Sequence, residues 1–180
     1  MIRRFAASTC AALALALPAL AQTDYPARTV TMIVPFPPGG VADITARPAA
    51  EALGRHLRQT MIVENKAGAG GGVGMQYVSR AKPDGYTVLL ALSSISIIPE
   101  ADRILERAPM YQLSQLVPIA RFTADPTVLA VRADSPWKSA REMLEAARKA
   151  PGSIPYGSSG NYGTMHVPME MLAVSAGVTM

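Results

Sequence analysis

Thr29-Val30-Thr31-Met32-Ile33-Val34-Pro35-Phe36-Pro37-Pro38-Gly39-Gly40 is the stretch that decides the fold. Its first six residues are β-branched or apolar and barely alternate, the mark of a strand buried on both faces, as in a parallel sheet. The Pro/Gly run then stops the strand. Apolar residues at helical spacing follow and predict a helix over 42–57, with Ile44, Ala50, Leu53 and Leu57 facing inward. Pro48 falls inside that helix and predicts a kink or a late start, because it removes a hydrogen bond.

The same order repeats downstream. Residues 61–64 read as a second strand, 65–72 as a Gly-rich loop and 73–81 as a helix. Pro83-Asp84-Gly85 is a turn, and 86–92 a third strand closed by Ser93-Ser94. This βαβαβ alternation predicts an α/β fold with a parallel sheet and helices on its faces. Residues 95–116 predict a short helix and a loop, and 117–120 and 127–131 are expected as strands crossing between lobes. A helix is predicted over 139–150, Leu144 and Ala147 inward, with Ser139 and Glu142 as a capping box. A short strand over 154–157, a polar loop over 158–164 and a helix over 166–176 complete the pattern, with Gly177 after it.

The totals suit a globular chain: 180 residues, 49% hydrophobic and 17% charged, with many turns promised by 14 Gly and 15 Pro. Arg3 and Arg4, the apolar run over 6–17 and Ala19-Leu20-Ala21 form the pattern of a secretory signal peptide cleaved after Ala21. The run is too short for a membrane span, which takes roughly 20 apolar residues. Cys10, the only cysteine, lies inside the signal, so the mature chain would hold no thiol and no Cys-ligated metal. Without Arg3 and Arg4 the chain keeps 15 basic against 13 acidic residues, a charge of +2 rather than +4. No basic run interleaved with aromatics remains, and a nucleic-acid partner is not expected.

The chemistry of the chain lies in a recurring junction of strand, Gly-rich loop and helix. It occurs over 37–43, 65–72 and 157–164. Free backbone N–H groups and the helix dipole make such junctions anion sites, and in an open parallel sheet they share the ligand-binding edge. Enzyme motifs are weak. The glycines at 68, 70, 71, 72 and 74 do not make G-x-G-x-x-G, and no Walker Gly-Lys-Ser/Thr occurs. Gly157-Ser158-Ser159-Gly160-Asn161 fails the last position of a nucleophile elbow. Ser135-Pro136-Trp137-Lys138 fits S-x-x-K without its partner motifs. His56 and His166, the only histidines, have no carboxylate cluster for a metal, and no cofactor is expected. Asp43 would sit in the first turn of its helix and stabilise that N-terminus.

Together these loops resemble the tripartite tricarboxylate transporter substrate-binding proteins, the Bug-type receptors. The resemblance is carried by the 34–40 stretch with Asp43, Ala46 and Arg47, and by Val63-Glu64-Asn65 with Gly68-Ala69-Gly70-Gly71. It continues through Pro83-Asp84-Gly85-Tyr86-Thr87 and through Tyr156-Gly157-Ser158-Ser159-Gly160 with Gly163, Thr164, His166 and Glu170. It implies a type II periplasmic binding protein fold of two lobes, with residues 22–122 as lobe one and 123–180 as the start of an incomplete lobe two. It implies a small carboxylate as ligand and the membrane subunits of a tripartite transporter as partners, in the periplasm and without turnover. Phe36, Pro37, Pro38, Gly39 and Gly40, with Asp43, Ser93 and Ser94, would line the first lobe. Ser158, Ser159, Gly160, Gly163 and Thr164 would hold a carboxylate from the second. Each charge-assisted N–H bond contributes roughly 1.5–3 kcal/mol, so three or four suffice for about micromolar binding. Two other readings compete: an exported serine hydrolase using Ser135, Ser158 or Ser159 with His166, and a truncated product without function.

Overall fold

The computed structural model describes residues 25–124 and 126–180; the signal-peptide reading of 1–21 lies outside the described residues. Three parallel strands form the sheet: β1 (Val30–Val34), β2 (Met61–Asn65) and β3 (Thr87–Leu89), in the order β2-β1-β3. Val30 pairs with Met61 and Val34 with Asn65, while Thr31 pairs with Thr87. The central strand is buried on both faces, with Ile33 and Val34 at 0% exposure. That burial explains its unbroken apolar run. β3 is shorter than the predicted 86–92, although Leu90 N–H still donates to Ile33 O at 3.0 Å.

Helix α1 (Val41–Leu57) lies on β1 and β2, and α2 (Gly72–Ser79) on β1 and β3. The inward face of α1 differs from expectation. Ala42, Asp43, Ala46 and Ala50 are buried, whereas Ile44 is 60% exposed. Small side chains at i and i+4 let the helix approach the sheet closely, and they outweigh a single large apolar residue. The late start at Pro48 does not occur: α1 runs from Val41 through Pro48. The carbonyl left without its donor belongs to exposed Ile44, where water can bond it.

Helix α3 (Ser94–Ile104) begins where β3 was expected to end. It too contains a proline, Pro99, and here the orphaned carbonyl, that of Ile95, is answered by the protein. Tyr111, 2% exposed, donates its hydroxyl to Ile95 O at 2.7 Å. Burial pushes the phenol pKa upward, so it stays a donor. Tyr111, Met75, Phe36 and Ile98 belong to one core with the β1 and α1 residues.

A second cluster packs separately. Met143 and Ala147 of α4 (Ala140–Lys149) meet Ile154, in the segment that follows α4, and Met169 of α5 (His166–Ala176). The predicted α4 cap is present, since Ser139 Oγ accepts Glu142 N–H at 3.2 Å. Glu142 reaches back one residue further than a capping box requires, to Lys138 N–H at 2.8 Å. Met143 is buried more deeply than Leu144, which was expected inward. The strands expected over 117–120, 127–131 and 154–157 do not form. Val117, Ile119 and Val128 are 86%, 85% and 77% exposed. Strand residues without a ladder partner among the described residues cannot hold a sheet conformation, whatever their propensity.

Candidate functional site

The strand order places β1 at the centre, with its two neighbours reached in opposite directions. The carboxyl ends of β1 and β3 therefore flank a switch point, where crevices form in open α/β sheets. The β1 loop starts with Phe36, buried in the core, and then exposes Pro37, Pro38, Gly39 and Gly40. Asp43, in the first turn of α1 and 4% exposed, holds that loop from beneath. Its Oδ2 accepts Gly39 N–H at 2.9 Å and Arg47 Nε at 3.0 Å. Its Oδ1 accepts Arg47 Nη2 at 2.8 Å and Asn65 Nδ2 at 3.0 Å. Asn65, the last residue of β2, also donates to Phe36 O at 3.0 Å. The Arg47 guanidinium first, then Gly39 N–H and the Asn65 amide, bring the Asp43 carboxyl down to about 2. Both oxygens are engaged by the protein itself, so Asp43 ties β1, α1 and β2 together and shapes the loop.

The second Gly-rich loop forms a short 3-10 turn, Ala69–Gly71, before α2. Gly70 is buried and has φ +64°. A Cβ there would lie 2.9 Å from Asn161 O and 3.2 Å from Gly163 N. In return, a Cβ on Gly160, at φ +114°, would lie 3.0 Å from Gly70 N. The second and third loops thus meet backbone to backbone, which only glycine permits at both positions. This contact was missed in the sequence, where Gly70 belonged to a recognised loop but to no candidate residue set; the dense glycines of 68–74 were the available signal.

The same third loop reaches the start of α3. Ser94 N–H donates to Thr164 Oγ1 at 3.2 Å. Ser94 is 0% exposed, and its hydroxyl has no hydrogen-bond partner among the described residues. The first turn of α3 carries no acidic residue, in contrast to that of α1. Ser94, Thr164, Gly160 and Gly163 are therefore brought together. Ser93, Ser158 and Ser159 are exposed at the margin, and no hydrogen bond links the 36–40 loop to the 158–164 loop among the described residues.

His166, at the start of α5, accepts Tyr162 N–H at Nδ1, 3.2 Å away. Among the described residues no hydrogen bond joins it to Ser135, Ser158 or Ser159. Tyr156 donates its hydroxyl to Glu170, whose carboxylate, with some burial, pushes the phenol up to about 12. A cavity of about 560 Å³ lies elsewhere, between the 127–132 segment and the second core, lined by Trp137, Met143 and Leu172 among others. Its walls are largely apolar, and it does not reach Phe36–Gly40, Ser94 or Thr164. Among the described residues no three His, Cys, Asp or Glu side chains gather as metal ligands, and no helix is long and apolar enough to cross a membrane.

Residues 45–180 match the family described as Tripartite tricarboxylate transporter family receptor, TctC. A UPF0065 protein of Bordetella pertussis is 38% identical over 180 residues, covering 100% of this chain and 54% of its own length. A solved structure described as a periplasmic transporter superposes with a TM-score of 0.80 at 37% identity, over 87% of this chain and 52% of that one. An R. palustris protein solved with adipate superposes at 0.71 and 28% identity, over 87% of this chain and 52% of its own. The fold is thus that of periplasmic binding proteins, and the chain spans about half the length of the curated relatives it matches.

Proposed function

The chain belongs to the tripartite tricarboxylate transporter receptor family, and on that premise we propose that it serves as an exported, non-enzymatic solute-binding protein for a small carboxylate. It works in the periplasm and passes ligand to the membrane subunits of a tripartite transporter. Residues 22–122 form lobe one and 123–180 belong to lobe two, each supplying one wall of the site. The junction of Ser94 and Thr164 carries this reading. There a helix N-terminus free of acidic residues, a buried hydroxyl and two glycine loops converge. The first N–H groups of α3 already donate within the chain, Ser94 to Thr164 Oγ1, Ile95 to Leu92 O and Ser96 to Ser93 O, so the helix dipole is what favours an anion there, with no cationic side chain required. Thr164, Gly160, Gly163 and Ser94 hold the carboxylate, with Ser158, Ser159 and Ser93 at the rim. The loop of Phe36 to Gly40 covers the other end of the ligand, held in shape by Asp43. Adipate, the ligand present with the R. palustris relative, is the first candidate to try.

The test is a thermal melt of the purified chain with a panel of mono-, di- and tricarboxylates. A ligand at 100 times its Kd adds about 2.7 kcal/mol to the stability. A melt that shifts with one carboxylate and not with a matched amide supports the reading. A cooperative melt that no carboxylate shifts overturns it.

A further inference from the structure

Tyr162 stands out in the third loop. Its φ is +60°, in the left-handed region that a bulky side chain avoids. Three other described non-glycine residues share that region: Arg58 caps α1, Glu106 follows the end of α3 and Ala69 opens the 3-10 turn. Tyr162 lies in the turn closed by Gly163 N–H donating to Gly160 O at 3.0 Å, three residues before the cap of α5. Strain of this kind persists only where the surroundings over-determine it.

The surroundings are specific. Although it lies in the 158–164 loop, Tyr162 packs against the first core rather than the second. The Arg107 guanidinium lies over its ring, with Cζ 5.2 Å from the centroid, inside the range of a cation–π contact. Arg107 is itself held. The chain turns after α3, so that Arg107 N–H donates to Asp102 O at 2.8 Å. The guanidinium Nη2 then lies 2.8 Å from Asp102 Oδ1, and Asp102 is 5% exposed. On its other side, Tyr162 donates its N–H to His166 Nδ1, and the two rings meet edge to face at 5.8 Å.

We propose that Tyr162 and Arg107 are positioning residues, a clip that seats the 160–164 segment against Gly70 and Ser94 before any ligand arrives. Neither residue touches the ligand. Arg107 is anchored by Asp102 on the first core, Tyr162 is anchored by His166 at the start of α5, and the strained backbone lies between the two anchors. The effect on ligand affinity rests on the carboxylate-receptor reading above; the seating of the loop does not.

The test is hydrogen–deuterium exchange of the ligand-free chain, read at the amides of 160–164, with adipate titration as a second arm. Tyr162→Asn accepts the left-handed φ but removes the ring, and Arg107→Gln removes the cation. Both should speed exchange at 160–164 about three- to tenfold, the size of a lost cation–π contact, while the α4 amides stay as protected as before. Tyr162→Phe and Arg107→Lys keep ring and cation and should restore protection. Unchanged exchange in Arg107→Gln, or equal loss in Tyr162→Phe and Tyr162→Asn, overturns the clip. If Tyr162→Asn unfolds the chain, the Arg107→Gln and Arg107→Lys pair decides alone. A parent chain that binds no carboxylate refutes the receptor reading, while the exchange data still judge the clip.

Discussion

Tyr111→Phe is a one-atom change whose cost the structure sets. The hydroxyl donates to Ile95 O because Pro99, four residues on, has no N–H to give. Removing it leaves a part-buried carbonyl at the first turn of α3 without a donor, which costs roughly 1–3 kcal/mol. For a chain of this size the melting temperature should fall by roughly 3–10 °C. The partner variant is Pro99→Ala, which returns an N–H to the Ile95 carbonyl. Because a carbonyl accepts two bonds, Tyr111→Phe should cost markedly less in that background, with a coupling energy of about 0.5–1 kcal/mol or more. Urea unfolding of the four proteins measures the cycle. An equal cost of Tyr111→Phe in both backgrounds would refute the idea that the phenol substitutes for the missing helix donor. The same turn carries Ser94 and its bond to Thr164, the junction proposed to hold the carboxylate.

Four further outcomes are expected. Gly160→Ala places a Cβ 3.0 Å from Gly70 N at a φ of +114°; strain of about 1–3 kcal/mol should weaken carboxylate binding about 10- to 100-fold by calorimetry. Gly157→Ala, in the same segment with nothing within 4 Å of its Cβ, should bind normally. Gly74→Ala pushes a Cβ to 2.7 Å from Pro35 Cβ and 2.8 Å from Lys66 O, so overpacking should destabilise the chain by about 1–3 kcal/mol in urea, with no effect on binding beyond the loss of folded protein. Asp43 has a folded pKa depressed from 3.8 to about 2, so its stabilisation is complete well above 3.8 and is lost as pH falls toward the folded value. Asp43→Asn should therefore flatten the acid limb of stability against pH between about 4 and 2; an unchanged limb by circular dichroism would contradict the assigned hydrogen bonds.

The elements whose signals are local could be read directly from the residues. The apolar run of 29–34 gave β1, the serine before an amphipathic stretch gave the cap of α4, and α5 starts at His166 and ends before Gly177 as expected. The glycine loops were also legible as junctions between strand and helix, because glycine and proline are the strongest local markers of a turn. The strands expected at 117–120 and 127–131 failed for the opposite reason. β-propensity reports a preference, but a strand exists only through the partner it pairs with.

For the candidate site, residue order marked the strand–loop–helix junctions proposed to take an anion, since glycine runs before helix starts are visible along the chain. Which of those segments meet depended on the folded chain. Asp43 meets Gly39 and Arg47 locally, each four residues away, but Asn65 reaches it only through the packing of α1 on β2. Gly70 and Gly160 lie 90 positions apart in the chain and touch through backbone atoms, and Ser94 finds Thr164 across a separation of 70. A side-chain pattern records what an element buries, whereas a contact between two bare backbones leaves no pattern in either segment. Only the three-dimensional fold, by closing that distance, makes the contact exist.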